Sequence, residues 1–242
     1  MKTLEVVWKD LKTRQRFVIG VLTKGRNYVF EYKISNVSQA CEKGFNGIVA
    51  FPSFSKVYTS ENIFPVFGTR LPDAKRKDIS EILHKYGLEH YDDFELLKRT
   101  GGRLPIDTLE FIDPIILDNL ENDIDVTREF FIAGVRHYEL CDGKYLCDGK
   151  ENSKCTIKLP LKKGDLLGLK QESDNQYDKY AVAVYKSNEK IGYIPVYYSQ
   201  AISNAISEGR NINLIVKNFD PDASCQECLK AVLSIKMNKN VG

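Results

Sequence analysis

Two short stretches of this 242-residue chain carry side chains suited to recognition chemistry. One is Arg136-His137-Tyr138, a cation followed by two rings. A guanidinium makes charged, directional hydrogen bonds to phosphate, and an exposed ring stacks on a base. The other is the turn Asp174-Asn175-Gln176-Tyr177-Asp178-Lys179, which sets an amide, a phenol, a carboxylate and an ammonium side by side. It ends where a strand pattern begins (Tyr180–Tyr185), so its side chains gather at one rim of a sheet. This suggests a small β-rich binding module rather than an enzyme pocket. Blander roles stand beside these: Asn175 and Asp178 can cap their own turn, while Tyr138 and Tyr177 can fill a core, Tyr177 being expected to act mainly structurally.

Other chemistries are less well framed. Cys225 and Cys228 have a CxxC spacing that suits zinc or a redox pair, and Cys141, Cys147 and Cys155 supply further candidate thiolates. A pair of compact CxxC motifs is absent, and reduced structural or exposed thiols are the plainer expectation. The histidines are His84, His90 and His137, none opening a metal-ligand motif. Thr100-Gly101-Gly102-Arg103 is far short of a phosphate loop, and no nucleophile elbow or nucleotide fingerprint frames the serines and carboxylates. Arg70, Lys75, Arg76 and Lys77 invite a phosphate or partner-contact reading, although a solvated helix start is the plainer one. We therefore expect no enzyme and no cofactor.

The elements that must position the two stretches follow from periodicity. In the second half, Val126–Val135 reads as a strand carrying Arg136, His137 and Tyr138 at or near its end. Further strands are expected at Thr156–Leu159, Leu166–Leu169, Tyr180–Tyr185, Ile191–Ile194, Ile212–Val216 and Ala231–Lys236, with a helix over Tyr198–Ser207 stopped by Gly209. This makes a half-open barrel with one principal helix.

In the first half, Tyr28, Phe30 and Tyr32 share one face at period two, and a turn at Gly25–Asn27 makes a hairpin of Arg14–Ile19 with Tyr28–Lys33. Gly44–Pro52 reads as strand plus exposed loop. Helices are expected at Asp78–His84, ended by Gly87, and at Asp92–Lys98, capped by Asp92 or Asp93. The fold class is α+β, with a small mixed domain over 1–112, a linker over 113–126 and a barrel over 127–242.

Composition bounds these readings without deciding them. At 43% hydrophobic and 28% charged residues, the chain has the balance of a soluble globular protein. No apolar run approaches the roughly 18–20 residues that span a bilayer, and the start lacks a continuous secretory apolar core. A cytoplasmic location without membrane partners is expected. The net charge is only +2, divided as −1 up to and including Asp125 and +3 after it, so the second half is marginally the better polyanion binder.

Two resemblances add to this. Phe17–Tyr32 with Phe51–Phe54, the FPVFGTRLPDAKR stretch (Phe64–Arg76) and the YGLEHYDDFELLKRTGG stretch (Tyr86–Gly102) resemble the small N-terminal subdomain of HipA-type toxin kinases. That likeness implies regulation or protein docking through residues 1–112. No magnesium-binding Asp/Asn/Asp set of a kinase body follows it. FFIAGVRHY, LKKGDLLGLKQESDNQYDKYAVAVY and EKIGYIP, followed by a helix, resemble a HIRAN domain. Described members of that family bind single-stranded DNA and prefer a free 3′-hydroxyl end.

Carried over residue by residue, the resemblance implies ligand contacts at Arg136, His137, Tyr138, Asn175, Tyr177, Asp178 and Lys179. The chain departs from the family pattern at His137, which replaces an aromatic, and at Gln176, which replaces a proline. Asp178 would accept a hydrogen bond from a terminal 3′-hydroxyl, whereas an internal phosphodiester would face its charge. Two functions from different classes are thus expected. One is a non-catalytic binder of nucleic acid, single-stranded DNA above all, with an N-terminal protein-docking domain. The alternative is a protein-binding regulatory or antitoxin-like component related to HipA systems, without DNA binding.

Overall fold

The computed structural model describes residues 1–13, 15–104, 108–117, 125–138, 161–220, 223 and 228–236, with the backbone alone at Arg136. The chain divides into two compact units, Met1–Pro114 and Ile115–Gly242.

Alternating apolar residues build the first unit's antiparallel sheet. Its strands are β1 (Lys2–Lys9), β2 (Arg16–Lys24), β3 (Tyr28–Tyr32), β4 (Tyr58–Ser60) and β5 (Leu109–Ile112), in the order β4-β3-β2-β1-β5. A hairpin forms around the expected Gly25–Asn27 turn, but Tyr28–Tyr32 pairs with Gly20–Lys24, Gly20 opposite Tyr32 and Lys24 opposite Tyr28. It does not pair with the residues up to Ile19 that were expected; Arg16–Val18 pair with β1 instead. Four helices accompany the sheet: α1 (Ile34–Glu42), α2 (Pro65–Gly68), α3 (Ile79–Lys85) and α4 (Asp93–Thr100). Phe30 sits fully buried at the centre, its ring within 4.5–6.4 Å of those of Tyr32, Phe51, Tyr58 and Phe67. Rings at such spacings contribute roughly 0.5–1.5 kcal/mol per pair beyond the area they bury.

Several candidate chemical groups of this unit are absorbed into packing. The Arg70 guanidinium is buried and donates to the Gly102 carbonyl at 3.0 Å. Gly101 closes α4 in a left-handed conformation, and Gly102 lies so close to Phe111 and Leu97 that a Cβ there would approach them to 2.7 and 2.9 Å. The glycine pair is thus a packed turn. Asp92 caps α4 by accepting from the Phe94 and Glu95 amides, and Gly87 follows α3 with a φ of 68°. Gly44–Pro52 departs from the strand expectation. It holds only a bridge between Ile48 and Phe51, closed over a tight turn by the Phe51 amide on the Ile48 carbonyl.

The described residues of the second unit form an open six-stranded antiparallel sheet. Its strands are β6 (Val126–Phe131), β7 (Leu166–Gln171), β8 (Val182–Lys186), β9 (Glu189–Tyr193), β10 (Asn211–Phe219) and β11 (Leu229–Lys236), in the order β6-β11-β10-β7-β8-β9. Helix α5 (Val196–Ser207) buries Tyr198, Ile202 and Ala205 at helical spacing. Gln171 ties β7 to it by donating to the Ser203 carbonyl and to the Ser203 and Ser207 hydroxyls at 2.8–2.9 Å. With four helices in the first unit and α5 in the second, the described residues show no single principal helix. The strand expected at Thr156–Leu159 lies outside the described residues.

The two edge strands of this sheet touch at one place. Ala133, just beyond β6, exchanges backbone hydrogen bonds with Tyr193 of β9 at 2.9 and 2.8 Å. Gly192 makes this approach sterically allowed, since a Cβ there would stand 2.6 Å from the Ala133 carbonyl oxygen. The glycine of the IGYIP stretch therefore has a packing reason to be a glycine.

Candidate nucleic-acid interface

The chain after β6 does not stay extended. Gly134 adopts a φ of 70°, and Val135–His137 form a 3-10 turn where a strand was expected. The cause is non-local: the Ala133–Tyr193 bridge draws the chain off the β6 ladder, and Gly134 absorbs the bend. Val135 points into the core, His137 is exposed and Tyr138 half-buried. The Arg136 side chain lies outside what is described, so its expected phosphate role gains no geometry.

The β7–β8 connection is built by its own polar groups. The Glu172 amide donates to the Ala181 carbonyl at 2.8 Å, closing the loop base. Asn175 Oδ1 accepts from the Tyr177 and Asp178 amides at 2.9 and 3.2 Å. Asp178 Oδ1 accepts from the Tyr180 amide at 2.9 Å. Asn175 and Asp178 thus do cap their turn as the blander reading held, but each uses only part of its capacity. Tyr177 reverses expectation: it is 87% exposed at the loop tip, far from filling a core. Lys179 is also exposed, its ammonium 4.8 Å from the Tyr180 ring centre. Lys170, Glu172, Asp174, Asn175 and Tyr177 border an open cleft of about 490 Å³.

Tyr193 joins the two stretches. Its ring lies 6.0 Å from that of Tyr138, and its hydroxyl accepts from Asn175 Nδ2 at 3.4 Å. That hydroxyl donates to Glu172 Oε2 at 2.8 Å, while the Lys190 ammonium donates to the hydroxyl at 2.5 Å and to Glu172 Oε1 at 2.6 Å. Lys190 also stands 4.3 Å from the Tyr193 ring centre and 5.3 Å from that of Tyr138.

The electrostatics follow from this packing. Burial pushes the Tyr193 phenol up to about 12, with hydrogen bonding to Tyr138 and Glu172 acting in the same direction and Lys190 opposing. Burial opposes the charge on Lys190, yet bonds to Glu172, Tyr193 and Tyr138 outweigh it and hold the ammonium above its usual range. Burial likewise opposes the charge on Glu172, but Lys190 and Tyr193 hold its carboxyl below the usual range. The pair stays ionised across the neutral range.

Glu172 and Lys190 were not singled out from the sequence. On a regular strand, residues three apart such as Lys190 and Tyr193 face opposite sides. A bulge cancels that parity: Val184 pairs with Gly192 and Tyr185 with Lys190, so one step on β8 spans two on β9. An acidic residue opening the turn and a lysine before Ile-Gly-Tyr were the available signals.

The remaining candidates come apart. Cys228 is buried, and burial pushes its thiol up to about 11, which disfavours the thiolate a metal requires. Cys141, Cys147, Cys155 and Cys225 lie outside the described residues. Among the described residues, no group of three or more His, Cys, Asp or Glu side chains is placed to hold a metal ion. His84 and His90 are exposed on the first unit. No helix among the described residues is long and apolar enough to cross a membrane.

The cleft is bordered by the end of β7 and the turn that follows it, and the 3-10 turn reaches that turn through Tyr193. Residues 126–233 match the family model of the HIRAN domain, and residues 13–105 match that of the HipA N-terminal domain. Both are non-catalytic modules. Two solved structures resemble the chain distantly. The HIRAN domain of human HLTF is 15% identical, with 48% of this chain and 81% of that one covered and a TM-score of 0.32. A Lactobacillus plantarum protein is 22% identical, with 48% and 100% covered and the same TM-score of 0.32. No curated protein matches.

Proposed function

We propose that the chain is a non-catalytic binder of single-stranded DNA that recognises a free 3′ end. Its first unit would serve as a protein-docking module, a role supported by the HipA N-terminal match over 13–105. The observation that carries the reading is the meeting of the 3-10 turn and the Asn175–Asp178 turn on Tyr193, within the segment that matches the HIRAN model. Tyr177, with Tyr138 or His137, would stack on exposed bases, and each stacked base is worth roughly 1–3 kcal/mol. Asp178, whose turn engages only Oδ1, would accept a hydrogen bond from the terminal hydroxyl. Asn175 and Lys179 would donate to the sugar and phosphate, with Arg136 completing the phosphate contact.

The charge of the cleft favours an end over a strand interior. Its border carries one lysine, Lys170, and two carboxylates, Glu172 and Asp174, and Lys190 is already matched by Glu172. A strand laid through it would bring many phosphates to few unmatched cations, whereas a terminus brings one or two and a neutral hydroxyl. The dependence on salt should then be shallow, about 0.7 in log–log slope for each phosphate neutralised on a single strand.

The test is anisotropy at low salt with a short oligothymidylate bearing either a 3′-hydroxyl or a 3′-phosphate. Tighter binding of the free end is expected, with the preference lost in Asp178→Asn and affinity weakened in Arg136→Ala. Equal binding of both ends would keep nucleic-acid binding and remove end recognition. No binding by the unaltered protein would favour the purely protein-binding alternative.

A further inference from the structure

The end-binding reading leaves open what sets the distance between its two halves. A terminus is distinguished from a strand interior only if the hydroxyl acceptor and the stacking rings stand at a set separation, and here Asp178 and Tyr177 lie on one loop while Tyr138 and His137 lie on another. Neither loop is a rung of the sheet: the 3-10 turn follows Gly134 off the end of β6, and the Asn175–Asp178 turn is closed mainly by its own side chains. Both nevertheless end on Tyr193, through its ring on one side and its hydroxyl on the other.

We propose that Glu172, Lys190 and Tyr193 form a positioning scaffold that couples the two loops and thereby sets selectivity for a DNA end. The inference rests on the end-binding reading for its ligand, while the coupling can be read without DNA. Tyr193 is suited to the part because both of its ends are held. Its backbone is bonded in both directions to Ala133, and its hydroxyl sits between the Lys190 ammonium and the Glu172 carboxylate. Lys190 is spoken for by the same pair of oxygens and is not a spare cation awaiting a phosphate. The β9 bulge places Lys190 and Tyr193 on one face, so the scaffold requires that irregularity.

A scaffold acts on geometry, and a phosphate ligand acts on affinity and salt dependence; the two are separable. In the full chain, Tyr193→Phe removes one hydroxyl and keeps the ring, and Glu172→Gln keeps the shape and removes the charge. With 3′-hydroxyl and 3′-phosphate oligothymidylates as probes, each variant should lower the preference for the free end by about tenfold, the worth of one well-placed hydrogen bond. In Tyr193→Phe, which changes no charge, affinity for the blocked end should stay within about twofold on the same scale. In Lys190→Met the end preference should fall likewise while the salt slope stays unchanged; a direct phosphate contact would reduce that slope by about 0.7.

Amide hydrogen exchange supplies the readout without ligand. In Tyr193→Phe, amides of residues 134–138 and of 173–178 should exchange faster together, while those of β10 and β11 keep their protection. Loosening of one loop alone, or of neither, overturns the coupling whatever the DNA results. A salt slope that drops in Lys190→Met overturns it as well. Should the unaltered protein bind neither probe, the end-binding reading fails, and the exchange experiment still decides whether the scaffold exists.

Discussion

The two units contain nearly the same cluster of lysine, phenol and carboxylate and put it to different use. In the first unit the Lys24 ammonium donates to Asp92 and Asp93 at 3.2 and 3.3 Å, and the Tyr28 hydroxyl donates to Asp93. In the second, Lys190, Tyr193 and Glu172 repeat lysine, phenol and carboxylate. Both phenols are pushed up to about 12, chiefly by burial, and both ammonium groups are held above their usual range against it.

What separates the clusters is their outer ring of partners. Asp92 and Asp93 also accept from the first amides of α4, so the first cluster fastens a helix to a hairpin. The second has loops as its outer partners, namely Asn175 and the Tyr138 ring. Chemistry alone therefore does not distinguish a clamp from a site scaffold; the next shell of contacts does.

The strongest way to break this contrast is to overfill a glycine in each unit. Gly102→Ala would set a Cβ 2.7 Å from the Phe111 ring, and Gly192→Ala would set one 2.6 Å from the Ala133 carbonyl. Forced contacts of this kind cost about 1–3 kcal/mol. Urea unfolding should show a comparable loss in both variants. Oligonucleotide binding should survive Gly102→Ala and disappear in Gly192→Ala, because the Ala133–Tyr193 seam holds the two loops together. Binding retained by Gly192→Ala would show that the seam is dispensable.

Much of the fold was legible from side-chain period. The hairpin of β2 and β3, helix α5 and its Gly209 stop, and the strands of the second sheet follow from alternation and turn residues that act locally. The 3-10 turn was not, because the bridge that bends the chain lies between Ala133 and a residue sixty positions later. Of the site, the Asn175–Asp178 turn was legible as hydrogen-bonding chemistry, but the exposure of Tyr177 was not. Tyrosine is as often core as platform, and only the path of the loop decides. Glu172 and Lys190 were hidden for a third reason: a one-residue bulge reverses the face that period two assigns.

A smaller effect, and a sharper one, is expected at the loop tip. Tyr177→Ala removes an exposed ring, so thermal stability should shift by no more than about 0.5 kcal/mol. Binding of single-stranded DNA should weaken by roughly 1–3 kcal/mol if the ring stacks on a base. Asp92→Ala should do the reverse, costing about 0.5–2 kcal/mol of stability through the lost cap of α4 and leaving DNA affinity unchanged. Calorimetry and anisotropy on the two variants test the division of labour directly, and a Tyr177→Ala that binds as the unaltered protein would return that ring to an incidental role.

The smallest effect lies at alkaline pH, where both clusters should respond in the same window but in different places. A phenol with a folded value near 12, above its unfolded value of about 10, favours the folded state while it remains protonated. Its contribution is fully present below pH of about 10 and is lost as pH rises toward 12. Each phenol ionises beside a carboxylate that repels the new charge. Phenolate absorbance followed across this range should lose one late-titrating tyrosine in Tyr28→Phe and one in Tyr193→Phe. Hydrogen exchange should then separate them: ionising Tyr28 loosens the start of α4, and ionising Tyr193 loosens residues 173–178. If raising the pH frees the helix start and residues 173–178 in identical proportion in both variants, the two clusters are not independent devices.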